Sequence, residues 1–356
     1  MRVALDTNAL FVTRAGVARY LRGLIQGFRE ASIAGLDLIE MAWKVENFEY
    51  QQPRRALKTI YRQFVWPRTT APAILRRQQC DLMHGSFPCT LRPVKGLREV
   101  ITLYDLAFLV HPERFRRWHR WAARQSLHRL SKAGTLLCIS RFTADEAMRL
   151  LGIPARKLQV VYLGSTLENT PSTPLPAESS LELPPEFFLF VGSLEPGKNL
   201  SLLKEAYEIS QHSGHSLPPL LVVGARWDGV GTEGPPPHGW QYLGHQPDAV
   251  LAMLFRHALA LVFPSKYEGF GLPVLEAMSL GCPVICSPVS SLPEVGGNAV
   301  HYAKLDRDEY AAAMRRVLRD SGLRSDLAKA GLARSRLFSW KKCAEETHAV
   351  YKSVLA

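Results

Sequence analysis

The segment that decides the fold runs from Phe263 to Cys286 and reads FPSKYEGFGLPVLEAMSLGCPVIC. The apolar run 258–263 predicts a buried strand that ends at Phe263, and a loop with two glycines follows. Pro273 suits the first position of a helix, and Gly281 suits the position just after a helix ends. The apolar residues up to Cys286 predict a second strand. A strand, a helix and a strand in this order are typical of an α/β domain with a parallel sheet.

The turn into this helix has the features of an anion site. Backbone N–H groups at a helix N-terminus lack partners within the helix, so those of Gly271 and Leu272 are expected to bind a phosphate. Two carboxylates bracket the turn, Glu268 in the loop and Glu276 about one turn into the helix. A carboxylate is poorly suited to bind phosphate, but it accepts hydrogen bonds from sugar hydroxyls. The pattern therefore indicates a ligand with both phosphate and sugar groups.

Outside this segment, short apolar runs alternate with helical patterns along the whole chain, which predicts α/β architecture with parallel sheets. The expected strands are Val3–Leu5, Leu36–Met41, Val100–Leu103, Leu136–Ile139, Val160–Tyr162, Phe187–Val191, Leu220–Val223, Ala258–Phe263 and Pro283–Cys286. Residues 165–185 contain five prolines and little apolar periodicity, so they are predicted to be a linker. The fold expected is two doubly wound Rossmann-like domains that face each other across a cleft.

The charge distribution separates the two halves of the chain. Residues 1–165 contain 27 Lys and Arg against 12 Asp and Glu, whereas residues 166–356 contain 17 against 20. The first half is thus expected to meet an anionic ligand or surface. Nucleic acid is one candidate, but no helix-turn-helix, RNP or zinc-finger signature is present, so no nucleic-acid partner is expected. The N-terminus does not resemble a signal peptide, and the expected location is cytoplasmic.

The quoted segment also resembles a known family. Its Glu-x7-Glu spacing within YEGFGLPVLEAMSLGCPVICS is similar to that of the retaining, nucleotide-sugar-dependent glycosyltransferases of family 4, which have the GT-B fold. Further similar segments occur in the expected order: GVARYLRGL, CISRFTADE, VVYLG, FLFVGSLEPGKNL and SSLPEVGGNAVHY.

The resemblance implies a division of labour between domains. Residues 1–164 would form an N-terminal acceptor-binding domain, and residues 186–340 would form the nucleotide-sugar-binding domain after the linker 165–185. Residues 341–356 would pack back on the N-terminal domain.

The resemblance also implies roles for individual residues. Glu276 would hold the ribose hydroxyls, Glu268 would contact the donor sugar, and Lys198 would contact the diphosphate. Gly16 would leave room for donor phosphates or acceptor. The expected catalytic residues are Glu268, Lys198 and Asp105, and the expected donor-binding residues are Glu276, Gly16, Gly269, Phe270, Gly271, Leu272, Ser193, Tyr104 and Glu294.

Two positions depart from the family pattern. Many relatives have Arg at the position of Ser193, and some have Arg where this chain has Gly197. Lys198 is therefore expected to be the only cation of its segment, with Arg226 or another arginine substituting by proximity. Where relatives commonly carry a His-Asp pair, this chain has Tyr104 followed by Asp105. A tyrosine can donate a hydrogen bond to a sugar hydroxyl but is rarely charged near neutral pH.

The activity expected is transfer of a hexose, with mannose the leading choice, from a GDP- or UDP-linked sugar to a glycan or lipid-linked acceptor. No histidine or cysteine cluster has metal-ligand spacing, so neither a metal nor another cofactor is expected. The alternatives are a GT-B sugar phosphorylase or epimerase and, in a different class, a basic nucleic-acid-binding protein.

Two basic stretches, residues 54–77 and 114–129, mix arginines with aromatic residues. In the second stretch Phe115, Trp118 and Trp121 recur at helical spacing, a pattern that on its own indicates a core-facing stripe. Next to so many cations, the same stretches also fit a surface that touches anionic lipid headgroups or a lipid-diphosphate acceptor. Peripheral contact with the inner face of a membrane is the second expectation.

Overall fold

The computed structural model describes residues 1–13, 15–47, 55–87, 91–92, 94–115, 117–168, 170, 183–225 and 239–356. The chain divides into two compact units. One contains Met1–Gly164 together with Ser339–Ala356, and the other contains Ser165–Phe338. Most of the proline-rich stretch 165–185 and the candidate substitute Arg226 lie outside the described residues.

The first unit is built on a parallel sheet of six strands with the order β2-β1-β3-β4-β5-β6. Val3 of β1 lies between Leu38 of β2 and Leu82 of β3, and this register buries almost the whole first strand. The strands are β1 Arg2–Asp6, β2 Asp37–Met41, β3 Leu82–Ser86, β4 Arg98–Leu103, β5 Thr135–Cys138 and β6 Leu158–Val160.

Helices flank this sheet and end where the sequence supplies stop signals. Ser140 caps α6 through its side chain at the start, and Gly152 ends that helix in the left-handed conformation. The helices are α1 Gly16–Ala31, α2 Arg55–Ile60, α3 Thr70–Arg77, α4 Ala107–Val110, α5 Arg117–Lys132 and α6 Arg141–Leu151, with a π-helical turn at Tyr61–Val65 and 3₁₀ turns at Asn8–Phe11, Pro112–Arg114 and Ala155–Lys157.

The second unit contains another parallel six-stranded sheet, with the order β12-β11-β10-β7-β8-β9. Its strands are β7 Phe188–Val191, β8 Leu220–Val223, β9 Gln241–Gly244, β10 Ala260–Phe263, β11 Val284–Cys286 and β12 His301–Tyr302. Its helices are α7 Leu200–His212, α8 Asp248–His257, α9 Leu272–Ser279, α10 Leu292–Gly296, α11 Arg307–Arg319 and α12 Ser321–Ser335, with a 3₁₀ turn at Pro196–Lys198.

Both strand orders reverse direction at one point, and such switch points open a crevice beyond the carboxyl ends of two neighbouring strands. The first unit switches between β1 and β3, and the second switches between β7 and β10. The order of the second sheet is that of the classic dinucleotide-binding fold. Both units therefore confirm the predicted doubly wound α/β class.

The last helix of the chain, α13 Trp340–Leu355, belongs to the first unit and packs along α1. Glycines allow the close approach. A Cβ at Gly23 would stand 2.0 Å from the Trp340 ring, and one at Gly27 would stand 2.1 Å from the Trp340 carbonyl oxygen. Further along α13, the Tyr351 hydroxyl lies 2.5 Å from Nδ1 of buried His84. Burial lowers the pKa of His84 to about 3, so the ring is neutral at physiological pH.

Three strands were not expected from the sequence, namely β3, β9 and β12. Strand β3 ends in the polar residues His84, Gly85 and Ser86, yet it is central because it pairs with β1 and β4. Hydrogen bonds with Thr102 of β4 and with Tyr351 satisfy the buried ring of His84. Strand β9 lies at a sheet edge with mostly exposed side chains, and β12 has two residues. Among the described residues, no helix combines the length and apolarity needed to cross a bilayer.

Candidate functional site

Lys198 and Glu268 meet at the switch point of the second sheet. Strand β7 runs into the turn that carries Lys198, and the neighbouring strand β10 runs into the loop that carries Glu268. Lys198 Nζ lies 2.5 Å from Glu268 Oε1, and it also lies 5.5 Å from the ring centroid of Phe263. Glu268 is only 9% exposed. An ion pair with so little solvent around it is screened much less by salt than a surface pair.

Two consecutive serines hold the backbone of Glu268. The Glu268 N–H donates to Ser290 Oγ at 2.9 Å, and the Ser291 hydroxyl donates to the Glu268 carbonyl at 2.9 Å. Ser290 adopts a φ of 50°, in the left-handed range, which is uncommon for serine. Upstream in the same loop, the Ser287 hydroxyl donates to the Ser265 carbonyl at 2.5 Å. The loop after β10 is thus fixed by the connection that follows β11.

The turn that carries Lys198 is fixed in the same way. Glu195 caps it by accepting the Gly197 N–H at 2.7 Å, and the Gly197 carbonyl accepts the Lys266 N–H at 2.9 Å. A Cβ at Gly192, the residue after β7, would stand 3.8 Å from the aliphatic part of Lys198. Ser193 follows directly and is half-buried. These contacts fix the backbone of the turn, and the lysine amine lies against Glu268.

Helix α9 begins four residues after Glu268, at the predicted anion site. Gly271 adopts a φ of 98°, and a Cβ there would stand 2.6 Å from Leu292, so the position requires glycine. The N–H groups of Gly271 and Leu272 have no acceptor among the described residues. Glu276 follows on the same helix and is 1% exposed. The helix start predicted to bind an anion and a buried carboxylate therefore lie on one short element.

The remaining predicted residues of this unit lie around the same loop. Glu294 is half-buried in the first turn of α10, whose last carbonyls accept hydrogen bonds from Arg334. The rings of Phe270 and Phe338 meet edge to face at 6.0 Å, next to Gly269. Arg334 also lies 5.8 Å from the Phe338 ring centroid. Arg334 and Phe338 thus support α10 and the glycine loop together.

In the first unit, Gly16, Tyr104 and Asp105 lie near the carboxyl ends of β1 and β4. Gly16 is exposed at the start of α1, and a Cβ there would meet nothing within 4 Å. The Tyr104 hydroxyl lies 3.0 Å from Ser86 Oγ, and desolvation raises the pKa of Tyr104 well above its ordinary value. Asp105 accepts the Ala107 N–H at 2.9 Å and so starts α4. Tyr104 is therefore a neutral hydrogen-bonding group, and Asp105 has a structural contact.

Several residues that shape the site were not predicted from the sequence: Glu195, Phe263, Ser290, Ser291, Arg334 and Phe338. The segment SSLPEVGG pointed only to Glu294, although its two serines make the direct contacts with Glu268. The serine pair four residues after buried strand β11 is the sequence signal that could have indicated these contacts, because serine hydroxyls commonly bind nearby backbone groups. Among the described residues, no group of three or more His, Cys, Asp or Glu side chains is arranged to hold a metal ion.

Comparisons with known proteins agree with this geometry. The family model "Glycosyltransferase Family 4" matches residues 14–169, and the model "Glycosyl transferases group 1" matches residues 173–334. The chain is 32% identical over 389 aligned positions to O-antigen chain mannosyltransferase B of Escherichia coli, a match that covers 99% of this chain and 100% of that protein.

Solved structures show the same fold at low sequence identity. Sucrose-phosphate synthase from Thermosynechococcus elongatus superposes with a TM-score of 0.78 at 19% identity, covering 99% of this chain and 98% of that one. HepE from Anabaena, solved in complex with UDP and glucose, superposes with a TM-score of 0.71 at 16% identity, covering 99% and 100%. The chain belongs to glycosyltransferase family 4, and it is a glycosyltransferase with the GT-B fold.

Proposed function

We propose that the enzyme transfers mannose from GDP-mannose to a glycan or lipid-linked acceptor, with retention of the anomeric configuration. The observation that carries this proposal is the buried Lys198–Glu268 pair beside the start of α9, which offers a cation, free N–H groups and two carboxylates to one ligand. The full-length similarity to an O-antigen chain mannosyltransferase supports mannose as the sugar. A UDP-linked sugar is the second candidate donor, since HepE was solved with UDP and glucose.

In this proposal each residue has a separate task. Glu276 accepts hydrogen bonds from the ribose hydroxyls, and the N–H groups of Gly271 and Leu272 bind the diphosphate. Lys198 stabilises the negative charge that grows on the diphosphate as the donor bond breaks. Glu268 faces the sugar, where positive charge develops in an oxocarbenium-like transition state. Gly269, Phe270, Ser193 and Glu294 shape the donor site.

The bond changes follow from retention. The bond between the anomeric carbon and the phosphate oxygen breaks, and the acceptor oxygen bonds to the same face of that carbon. The acceptor hydroxyl gives its proton to the leaving phosphate oxygen, so no protein base is needed. Tyr104 and Asp105 contribute hydrogen bonds to sugar hydroxyls, and Gly16 leaves room for the phosphates or the acceptor.

The proposal also includes a cofactor-independent reaction at the cytoplasmic side of the cell, with peripheral contact between the enzyme and the inner face of the membrane. Nucleotide sugar and acceptor are its partners, without nucleic acid. Lys198 and the start of α9 supply the positive charge that a divalent cation would otherwise provide to a diphosphate.

The donor can be identified by thermal shift with GDP, UDP, ADP, dTDP and their sugars. A ligand at 100 times its Kd adds roughly 2.7 kcal/mol of stability, so the correct donor stands out from the rest. Transfer from that donor is then followed by NMR, which reports the configuration of the new glycosidic bond. We expect GDP and GDP-mannose to stabilise the protein most and the product to be an α-mannoside. An inverted product, or consumption of free phosphate without an acceptor product, would refute the proposed reaction.

Metal independence is a separate expected result. Initial transfer rates with excess EDTA should equal those without it, because the diphosphate charge is met by Lys198 and backbone N–H groups. A parallel reaction with added Mg²⁺ or Mn²⁺ controls for nonspecific effects of the chelator. Loss of transfer in EDTA that either metal restores would contradict this part of the proposal.

A further inference from the structure

The segment from α2 to α3 buries a charged side chain and exposes aliphatic ones. Arg62, in the π-helical turn Tyr61–Val65, is only 3% exposed. Its Nη2 donates to the Trp43 carbonyl at 3.1 Å and to the Val45 carbonyl, and its guanidinium lies 5.0 Å from the Trp43 ring centroid. Burial lowers the pKa of Arg62. The most polar side chain of this turn therefore anchors the segment to the body of the unit.

Aliphatic side chains occupy the outer side of the same segment. Leu57 is 68% exposed, Ile60 is 51% exposed and Val65 is 40% exposed. They occur on successive turns, and the Trp66 N–H bonds to the Tyr61 carbonyl, the i to i+5 contact of a π-helix. Single exposed aliphatic residues are common, but these three on one short segment that buries an arginine form a face that no part of the described chain covers.

The segment that carries this face is basic. Residues 55–77 contain six Lys and Arg residues, of which Arg62 is buried, and no Asp or Glu. Arg68 is exposed, and its guanidinium lies 5.6 Å from the ring centroid of half-buried Phe64. The face thus combines exposed aliphatic groups with positive charge, without any acid in the segment.

A second strip of positive charge adjoins the segment. Leu91 packs in one cluster with Trp66 and Leu75, and its carbonyl accepts a hydrogen bond from Arg129 of α5. Arg92 is consequently held next to both elements. The pKa of Arg92 is lowered first by desolvation and then by the nearby charges of Arg68 and Arg129. Arg129 is partly neutralised by its ion pair with Glu99, whereas Arg68 and Arg92 are exposed.

We infer that Leu57, Ile60, Val65, Arg68 and Arg92 form a membrane-docking face for an anionic phospholipid bilayer. The three aliphatic side chains enter the apolar interface, and the two arginines bind headgroup phosphates. This inference rests on the proposed function in one respect: it names the residues that would make the proposed peripheral contact with the membrane, where a lipid-linked acceptor would also be met.

Charge decides between the possible occupants. A second copy of this chain would bring two strongly basic surfaces together, because residues 1–165 hold 27 Lys and Arg against 12 Asp and Glu. Nucleic acid would satisfy the arginines but would leave the three aliphatic side chains in water. An anionic bilayer is complementary to both kinds of group.

Sedimentation with lipid vesicles tests this inference. The full-length protein should bind vesicles of phosphatidylcholine mixed with phosphatidylglycerol. It should bind vesicles of phosphatidylcholine alone much more weakly. Added salt should weaken the binding. A Leu57→Gln/Ile60→Gln variant should bind at least about tenfold more weakly, because two aliphatic side chains would no longer be transferred from water to an apolar phase. An Arg68→Gln/Arg92→Gln variant should bind roughly tenfold more weakly and with less dependence on salt.

The control is Leu337→Gln, which alters an exposed leucine of the other unit. It should bind vesicles like the unaltered protein, and all variants should keep the same thermal stabilisation by the donor nucleotide. Unchanged vesicle binding by Leu57→Gln/Ile60→Gln would overturn the inference, as would equal binding to neutral and anionic vesicles. Self-association that this variant abolishes, seen by analytical ultracentrifugation, would assign the face to a second copy instead. If the protein bound vesicles but no nucleotide, the proposed function would fail while this inference stood.

Discussion

Replacing Glu268 with glutamine is expected to lower kcat by roughly a hundredfold or more, while the Kd of the free nucleoside diphosphate stays nearly unchanged. Glutamine keeps the size of the side chain but removes the negative charge that faces the sugar in the transition state. It also weakens the contact with Lys198, whose amine lies 2.5 Å from the carboxylate. Lys198 then remains available to the diphosphate, so nucleotide affinity has no reason to fall.

Steady-state kinetics with the identified donor and calorimetry with the nucleoside diphosphate measure these two effects. Glu208→Gln is the matched control, since Glu208 is exposed on α7 in the same unit and should leave both quantities unchanged. A thermal melt shows whether breaking the Lys198–Glu268 pair has destabilised the unit. Unaltered kcat, or loss of nucleotide binding in a folded variant, would show that Glu268 does not act on the sugar.

Replacing Gly27 with alanine is expected to destabilise the first unit by about 1–3 kcal/mol. In an open helix the same change is stabilising by about 1 kcal/mol, because alanine is the better helix former. In α1, however, the new Cβ would stand 2.1 Å from the backbone carbonyl oxygen of Trp340, and α13 would have to move away. The melting temperature should fall by roughly 2–4 °C for each kcal/mol.

Differential scanning calorimetry measures this effect, and Gly16→Ala provides the control on the same helix. A Cβ at Gly16 meets nothing within 4 Å, so its melting temperature should be equal to or higher than that of the unaltered protein. A Gly27→Ala variant as stable as the Gly16→Ala variant would mean that α13 does not pack on α1 as described.

The sequence was informative wherever the decisive interactions were local. Gly271 was identified from the helix start that follows it, and its φ of 98° agrees with that assignment. Glu276 was placed one turn into the same helix, where the structure has it. Lys198 and Glu268 were identified separately, but their ion pair depends on β10 lying beside β7, an order that alternating apolar runs do not specify.

Long-range contacts account for most of what was not predicted. Strand β3 was not predicted, and its residue His84 is neutral and buried with hydrogen-bond partners distant in sequence, Thr102 and Tyr351. In the basic stretch 54–77, composition alone did not indicate that Arg62 lies inside while Leu57 lies outside. The core-facing stripe expected for residues 114–129 is wrong at Trp121, which is exposed on α5.

The most direct test of the account is the affinity of Glu276→Ala for GDP, measured by calorimetry beside the unaltered protein, with UDP titrated in parallel. Glu276 is proposed to hold ribose hydroxyls, which are present equally in the donor, the transition state and the free nucleotide. We expect a Kd about ten- to a hundredfold higher, as for the loss of a charge-assisted hydrogen bond of roughly 1.5–3 kcal/mol, with kcat at saturating donor nearly unchanged. Because Glu276 is buried, Glu276→Gln is measured too, and it should keep the melting temperature while losing part of the affinity. If the folded variants bind the nucleotide as tightly as the unaltered protein, or if they change only kcat, the Glu-x7-Glu segment is not the nucleotide site and the account is wrong.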